Sequence, residues 1–205
     1  MRRVVHFGPA NSPGGMATVI NTLHRNPPNG WDSKIISTHR ASLIGTISSW
    51  IGSMKQLRAA VAEDEIDIAH FHVTHSLSWI RKRSLMRKCQ KMGVPAVIHI
   101  HSGKFDRFCS GWFGSSVKKE LLVENRVTVV LEERWKDLLK EWIPPSSFVV
   151  SNPSNPIGNR ENHKLGGKVR LLLLSRKNGI KGHNFAIKII EELRMMGISS
   201  SLTMT

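Results

Sequence analysis

The sequence predicts an α/β fold, a Rossmann-like open parallel sheet with helices on both faces. Short β-branched and apolar runs alternate with segments that carry apolar residues at helical spacing, which is the order that builds successive βα units. Turns rich in glycine and proline separate the runs, as in GPANSPGG after the first of them. The 205 residues are 40% hydrophobic, which is enough to bury a core.

The elements of the first domain, residues 1–153, follow one another closely along the chain. RVVHF predicts the first strand, and MATVINTLHR predicts a helix because Met16, Val19, Ile20 and Leu23 recur at helical spacing. The next predicted elements are the strand SKIIST, a helix at about 48–63 with Ile51, Met54, Leu57, Ala60 and Val61 on one face, and the strand IDIAHFHV. After these come a basic helix at 77–92, the strand AVIHIH, the loop SGKFDRFCSGWFGSS, the helix KKELLVEN, the strand VTVVL, the helix EERWKDLLKEW and the strand FVVSNP.

A second domain is predicted to begin at residue 169. Residues 154–168 are polar and rich in Gly, Pro and Asn, which is typical of a linker. In 169–205, the run VRLLLLS predicts a strand covered on both faces, HNFAIKIIEELRMMG predicts a helix that ends at Gly197, and SSSLTMT predicts another strand. One βαβ unit cannot bury a core by itself, so this second Rossmann-like domain is predicted to be incomplete.

The charge of the chain indicates an anionic partner. Thirty Lys and Arg against fifteen Asp and Glu give a formal charge of +15, which suits nucleic acid, an acidic membrane face or a phosphorylated ligand. No RNA-binding or zinc-finger pattern is present and the chain has no tyrosine, which disfavours nucleic acid. Cys89 and Cys109 form no CxxC pair and are predicted to be core residues of a cytoplasmic protein. No run approaches the roughly 20 apolar residues that a membrane span requires.

Two pairs of histidines end neighbouring predicted strands, in HFH (His70, His72) and HIH (His99, His101). Alternate residues of a strand point the same way, so each pair presents two imidazoles on one face. Three interpretations remain open: hydrogen-bonded structural histidines, a metal site of a hydrolase, or a histidine that binds a polar substrate. Only Asp106, Glu132 and Glu133 could add carboxylates nearby, so we predict no metal and favour His101, last on its strand, as the substrate-binding residue.

Two glycine loops join strands to helices. In SRKNGIKGH, Arg176 and Lys181 stand five positions apart, and a helix N-terminus with two cations suits a diphosphate, although a basic surface turn would have the same composition. In PANSPGG, Gly14 and Gly15 precede the first helix. This loop lacks GxGxxG, so it is no dinucleotide fingerprint.

Taken in order, GPANSPGGM, HIHSGKF, VVSNP and SRKNGIKG resemble the family 4 retaining glycosyltransferases of the GT-B fold. The R-x4-K-G spacing of Arg176, Lys181 and Gly182 is the most specific element of this resemblance. It implies a hexosyltransferase-type enzyme of polysaccharide or cell-surface glycan synthesis that uses a nucleotide sugar without a metal or other cofactor. Residues 1–153 would then be the acceptor-side domain and 169–205 the beginning of the nucleotide-sugar-binding domain.

The resemblance also implies roles for the residues named above. Arg176 and Lys181, with Gly15, would hold the donor diphosphate, Gly14 and Gly15 would lie by the reaction centre, and His101 would contact the sugar. Two departures are present: Ser175 stands where the family usually has Gly, and the family's second-domain segment with two glutamates has no counterpart before Thr205. A non-catalytic binding domain derived from such an enzyme is therefore the alternative.

The acceptor is expected at the inner face of a membrane. The helix WIRKRSLMRKCQKMG places Arg83, Arg87 and Lys91 on one side, and the loop after HIH contains Phe105, Phe108, Trp112 and Phe113. Aromatic side chains beside cations suit an anionic lipid surface, where a lipid-linked or glycan acceptor would be found. A solvated helix face would show the same charge pattern.

Overall fold

A computed structural model of the protein describes residues 1–12, 14–39, 43–153, 168–174 and 182–204. The chain divides into two compact units, Met1–Ser154 and Asn155–Thr205. None of the helices in the described ranges has the length and apolar content needed to cross a bilayer.

The first unit contains a six-stranded sheet with the order β2-β1-β3-β4-β5-β6, in which every pair of neighbours is parallel. The predicted α/β fold with a parallel sheet is therefore confirmed. Its elements are β1 (Arg2–Gly8), α1 (Gly15–Arg25), β2 (Trp31–Ser37), α2 (Leu43–Ala62), β3 (Ile68–Val73), α3 (Leu77–Lys91), β4 (Ala96–Ile100), α4 (Phe105–Cys109), α5 (Gly114–Leu121), β5 (Arg126–Val130), α6 (Glu133–Leu139) and β6 (Phe148–Val149).

Helices cover the two faces of this sheet unequally. The chain moves one way from β1 to β2 and the other way from β2 to β6, so right-handed crossovers place α1 on one face and the later helices on the other. Consistent with this, a Cβ atom added to Gly8 would meet the Ile20 side chain of α1. The opposite face carries the main hydrophobic core, in which Phe7 and Phe71 pack with Leu57, Trp79, Leu85 and Leu121.

Two local predictions were wrong. The stretch predicted as a loop after β4 contains the short helix α4, which buries Phe105 edge-on against Trp79 with ring centroids 5.6 Å apart. α2 begins at Leu43, ahead of the predicted start, and Ile51 is exposed although it was assigned to the inward face. At α4 the packing of Phe105 against Trp79 of α3 explains the miss, because a local pattern does not report it.

A buried ion cluster joins α3, α5 and β5. Glu120, whose side chain is only 4% exposed, pairs with Arg83 at 2.9 Å, with Arg126 at 2.8 Å and with Arg87. Burial alone would raise the pKa of Glu120, but the hydrogen bonds from Arg126, Arg83 and Arg87 outweigh it and hold that pKa below its usual value. Arg83 and Arg87, two of the three cations predicted on one side of α3, are thus paired with a buried carboxylate.

In the second unit, the described residues form β7 (Val169–Leu173), α7 (His183–Met195) and β8 (Ser200–Met204), with β7 and β8 parallel. Gly182 precedes α7 with φ +78°, and Gly197 follows it with φ +71°, both left-handed conformations that favour glycine. Leu172 and Leu174 are 62% and 70% exposed, so the prediction of a strand covered on both faces was wrong. One helix on a two-stranded sheet leaves the other face of the strands uncovered.

Candidate functional site

Five histidines form a cluster on the α1 face of the sheet: His6 of β1, His70 and His72 of β3, His99 of β4, and His101 immediately after it. The strand register pairs His6 with His70 and His72 with His99, so alternation places all five side chains on one face. The sequence predicted each HxH pair, and the structure brings both pairs together. His6 was not predicted, although it lies in the alternating run VVHFG.

Hydrogen bonds link three of these rings in a row. His6 Nδ1 lies 3.2 Å from His72 Nε2, and His72 Nδ1 lies 3.0 Å from His101 Nε2. A neutral imidazole has one donor and one acceptor nitrogen, so neutral rings satisfy this row. The remaining contacts are ring packing, with His70 stacked on His72 at 4.3 Å and His99 against His101 at 4.1 Å between centroids.

His101 is held neutral at physiological pH. Burial, with smaller contributions from His99 and Lys82, lowers its pKa to about 3, while a hydrogen bond with the Asn152 side chain acts in the opposite direction. A neutral imidazole at a strand end can donate a hydrogen bond to a hydroxyl group or accept one from it. It does not carry the extra proton that a general acid needs. Asn152 was not predicted as a site residue, although its motif VVSNP is one of the four that carry the resemblance to the glycosyltransferases.

Two histidine triads have the spacing that a metal ion requires. In His6, His70 and His72, and again in His72, His99 and His101, one ring nitrogen from each residue lies within 4.8 Å of the other two. The row of hydrogen bonds already engages nitrogens of His6, His72 and His101. Neither triad includes a carboxylate. In the structure the cluster supports His101 through a hydrogen bond with His72 and ring packing with His99.

Gly14 and Gly15 stand at the start of α1. Gly14 precedes the helix with φ 144° and ψ 166°, a conformation that is essentially restricted to glycine. Gly15 begins the helix, and a Cβ atom there would meet nothing within 4 Å. Because β1, β3 and β4 are parallel neighbours, this helix start and His101 belong to the same, carboxyl edge of the sheet.

The two glycines are expected to respond differently to substitution. Gly14→Ala should lower the free energy of unfolding by about 1–3 kcal/mol, because alanine is strained in that conformation. Gly15→Ala should change it by less than about 0.5 kcal/mol, because a methyl group there meets open space. Urea unfolding followed by circular dichroism measures both, and equal losses for the two variants would contradict this conformation of the loop.

The predicted diphosphate-binding residues Arg176 and Lys181 lie outside the described residues and remain predictions. The structure describes only the last residue of their R-x4-K-G motif, Gly182, as the residue that precedes α7.

The aromatic residues predicted to face a membrane divide into two groups. Phe105 is buried in the core and Phe108 packs against it, whereas Trp112 is fully exposed and Phe113 is 41% exposed.

A cationic cavity at the same edge escaped the sequence analysis. Lys82 and Arg81 of α3 line it together with Thr74 and Ser78, and Lys82 is buried. The sequence did contain a sign of this, since Lys82 interrupts the apolar stripe of Leu85, Met86 and Cys89 at helical spacing.

Comparisons with known proteins add no assignment to this geometry. No protein-family model matches the chain, and no curated protein matches it. The functional conclusion therefore depends on the site and on the motifs of the sequence.

Proposed function

We propose that the protein is a retaining glycosyltransferase, or the acceptor-side part of one, that transfers a sugar from a nucleotide-sugar donor without a metal ion. The observation that supports this most is His101, a neutral imidazole held by His72 at the carboxyl edge of a parallel sheet. Ligands of open α/β sheets bind at that edge. A neutral imidazole there suits a sugar hydroxyl better than it suits a charged group.

In this proposal, the bond between the sugar and the donor diphosphate breaks, and a bond to an acceptor hydroxyl forms on the same face of the sugar. The products are the glycosylated acceptor, a nucleoside diphosphate and the proton of the acceptor hydroxyl. Arg176 and Lys181 would stabilise the departing diphosphate, since fixed cations act on charge that develops as the bond breaks. Gly15 would leave room for the diphosphate to approach the start of α1.

Residues 169–205 would be the beginning of the nucleotide-sugar-binding domain, whose βα start contributes the R-x4-K-G loop. The acceptor would be a glycan or a lipid-linked molecule at the cytoplasmic face of a membrane. The fully exposed Trp112 and the formal charge of +15 support that location.

Calorimetric titration of the chain with UDP and with GDP tests the donor site. Arg176→Ala and Lys181→Ala should each weaken binding of the accepted diphosphate by about 1.5–3 kcal/mol, the range for hydrogen bonds to charged groups. Lys188→Ala removes the same charge from an exposed position of α7 and should leave the affinity unchanged. His101→Ala should also leave it unchanged, because this residue is proposed to contact the sugar and not the diphosphate.

An unchanged affinity in both loop variants would mean that SRKNGIKGH is a surface turn and that the donor-site assignment is wrong. Diphosphate binding that depends on Arg176 and Lys181, with no sugar transfer to any acceptor, would instead favour a non-catalytic binding domain derived from such an enzyme.

A further inference from the structure

A cavity of about 200 Å³ lies where β1 and β3 end and α3 begins. Pro9, which follows β1, and Thr74, which follows β3, contribute to its wall, and Ser78, Arg81 and Lys82 of α3 contribute the rest of its polar lining together with His39. None of the described residues that line it is Asp or Glu. This described lining therefore presents cations and hydroxyl groups without a compensating carboxylate.

Lys82 is the unusual group in this cavity. It is only 3% exposed, and its ammonium donates a hydrogen bond to Ser78 Oγ at 2.8 Å. Among the described residues no carboxylate lies within salt-bridge distance of it, and its neighbour Arg81 carries the same sign of charge. A buried ammonium without a counter-ion is costly to a fold, and burial, with a smaller contribution from Arg81, lowers the pKa of Lys82 to about 7. Among the described residues, one of its donors is used, in the hydrogen bond to Ser78.

The start of α3 adds to the attraction for an anion. Thr74 and Ser78 lie at the N-terminal end of this 15-residue helix, where the backbone dipole is positive. Ser78 Oγ also accepts a hydrogen bond from the Thr74 amide at 3.3 Å, which fixes the hydroxyl that contacts Lys82. The buried cation, its cationic neighbour and the helix start thus act in the same direction.

We propose that this cavity binds a phosphate or diphosphate group, held by Lys82 and Arg81 with the hydroxyls of Thr74 and Ser78. A volume of about 200 Å³ corresponds to roughly seven water molecules at liquid density, which is room for a diphosphate. An anion in the cavity would supply the counter-charge that Lys82 lacks. The anion site does not depend on the proposed function, but its assignment to the acceptor of a sugar transfer rests on that function.

The phosphate could be carried by a lipid or by a soluble molecule. Leu77 and Ile80 of α3, which lie one residue before and two residues after Ser78, are 60% and 43% exposed, so apolar side chains stand beside the cationic residues on the same helix. Such a combination suits the headgroup region of a membrane.

Inorganic pyrophosphate is the probe, titrated by calorimetry into the full chain. Every sample carries both Arg176→Ala and Lys181→Ala, so the donor loop cannot contribute to binding. A wrong assignment of the donor site therefore cannot be mistaken for a wrong assignment of the cavity. In that background Lys82→Met should weaken pyrophosphate binding about 10- to 100-fold. Lys91→Met, which removes an exposed cation from the same helix, should change it less than about twofold.

A second readout separates binding from structure. Without ligand, Lys82→Met should raise the melting temperature, because a buried unpaired charge is replaced by an apolar chain of similar length. Equal pyrophosphate affinity in the parent and in Lys82→Met would overturn the proposal, as would an absence of binding in the parent at millimolar pyrophosphate. If Lys82→Met fails to fold, Arg81→Gln provides the same comparison at a less buried position.

Sedimentation with vesicles then identifies the source of the phosphate. Vesicles of phosphatidylcholine with phosphatidic acid are compared with phosphatidylcholine alone. Sedimentation with phosphatidic acid that is reduced in Lys82→Met supports the site and assigns a lipid phosphate to it. Sedimentation that is the same in both proteins, together with Lys82-dependent binding of pyrophosphate, supports the site and assigns a soluble phosphate.

Discussion

Replacing Glu120 with alanine is expected to lower the free energy of unfolding by about 3–5 kcal/mol, the usual loss when one member of a buried ion cluster is removed. Glu120 accepts hydrogen bonds from Arg83, Arg87 and Arg126. The Arg126 side chain is only 2% exposed, so alanine at 120 would leave its guanidinium buried without a counter-charge. Urea unfolding followed by circular dichroism measures the loss.

Two variants identify the source of that loss. Glu124→Ala removes an exposed carboxylate from the same part of the chain, and Arg87→Ala removes the more exposed partner of Glu120, whose side chain is 52% exposed. Each should cost less than about 1 kcal/mol, as for surface ion pairs. A loss in Glu120→Ala no larger than in these variants would mean that the cluster does not hold α3, α5 and β5 together.

Acidification is expected to unfold the first unit between about pH 6.5 and pH 4. Burial is the main cause that lowers the pKa of His6 and of His99 to about 4, and it holds the pKa values of His70 and His72 well below the ordinary 6.5. The unfolded chain therefore binds protons at a higher pH than the folded chain does. Stability that is fully present above about pH 6.5 is lost as the pH falls, by up to about 3 kcal/mol for each of His6 and His99.

The measurement is the free energy of unfolding at a series of pH values from 7.5 to 5. His99→Leu should reduce the slope of that free energy by up to about 1.4 kcal/mol per pH unit, the value for one proton. Within the described residues neither ring nitrogen of His99 has a hydrogen-bond partner by geometry. Burial lowers the pKa of His99, and the Val150 backbone acts in the opposite direction. Phe71→Leu, buried on the opposite face of β3, should lower stability without changing the slope. Equal slopes in all three proteins would contradict buried neutral histidines.

Much of the fold was predictable because its elements are local patterns. The alternation in IDIAHFHV and AVIHIH predicted β3, β4 and the common direction of each histidine pair, and the apolar spacing in MATVINTLHR predicted α1. The merging of the pairs with His6 into one cluster depends on which strands are neighbours and in what register. Periodicity does not report either of these, since β3 lies next to β1 and not next to β2.

The surroundings of the α3 cations were not predictable for a related reason. The helical pattern predicted a basic side with Arg83, Arg87 and Lys91, suited to a lipid surface or to solvent. It did not report that Arg83 reaches the buried Glu120 or that Lys82 is buried with Leu85 and Cys89. Long side chains extend well beyond their Cα positions, so their environment depends on elements far away in the sequence. The short helix α4 was missed because five residues are too few to show a period.

The row His6–His72–His101 couples the hydrogen positions of three rings to a ligand that binds at His101. Each neutral ring has one N–H, so all three rings must donate in the same direction along the row. The row therefore has two tautomeric arrangements, one in which the rings donate towards His101 and one in which they donate towards His6. A ligand that accepts a hydrogen bond at His101 and a ligand that donates one there select opposite arrangements. Changing the hydrogen-bonding character of the ligand would thus move a proton position on all three rings at once. The effect would reach His6, inside the sheet, without displacement of any heavy atom.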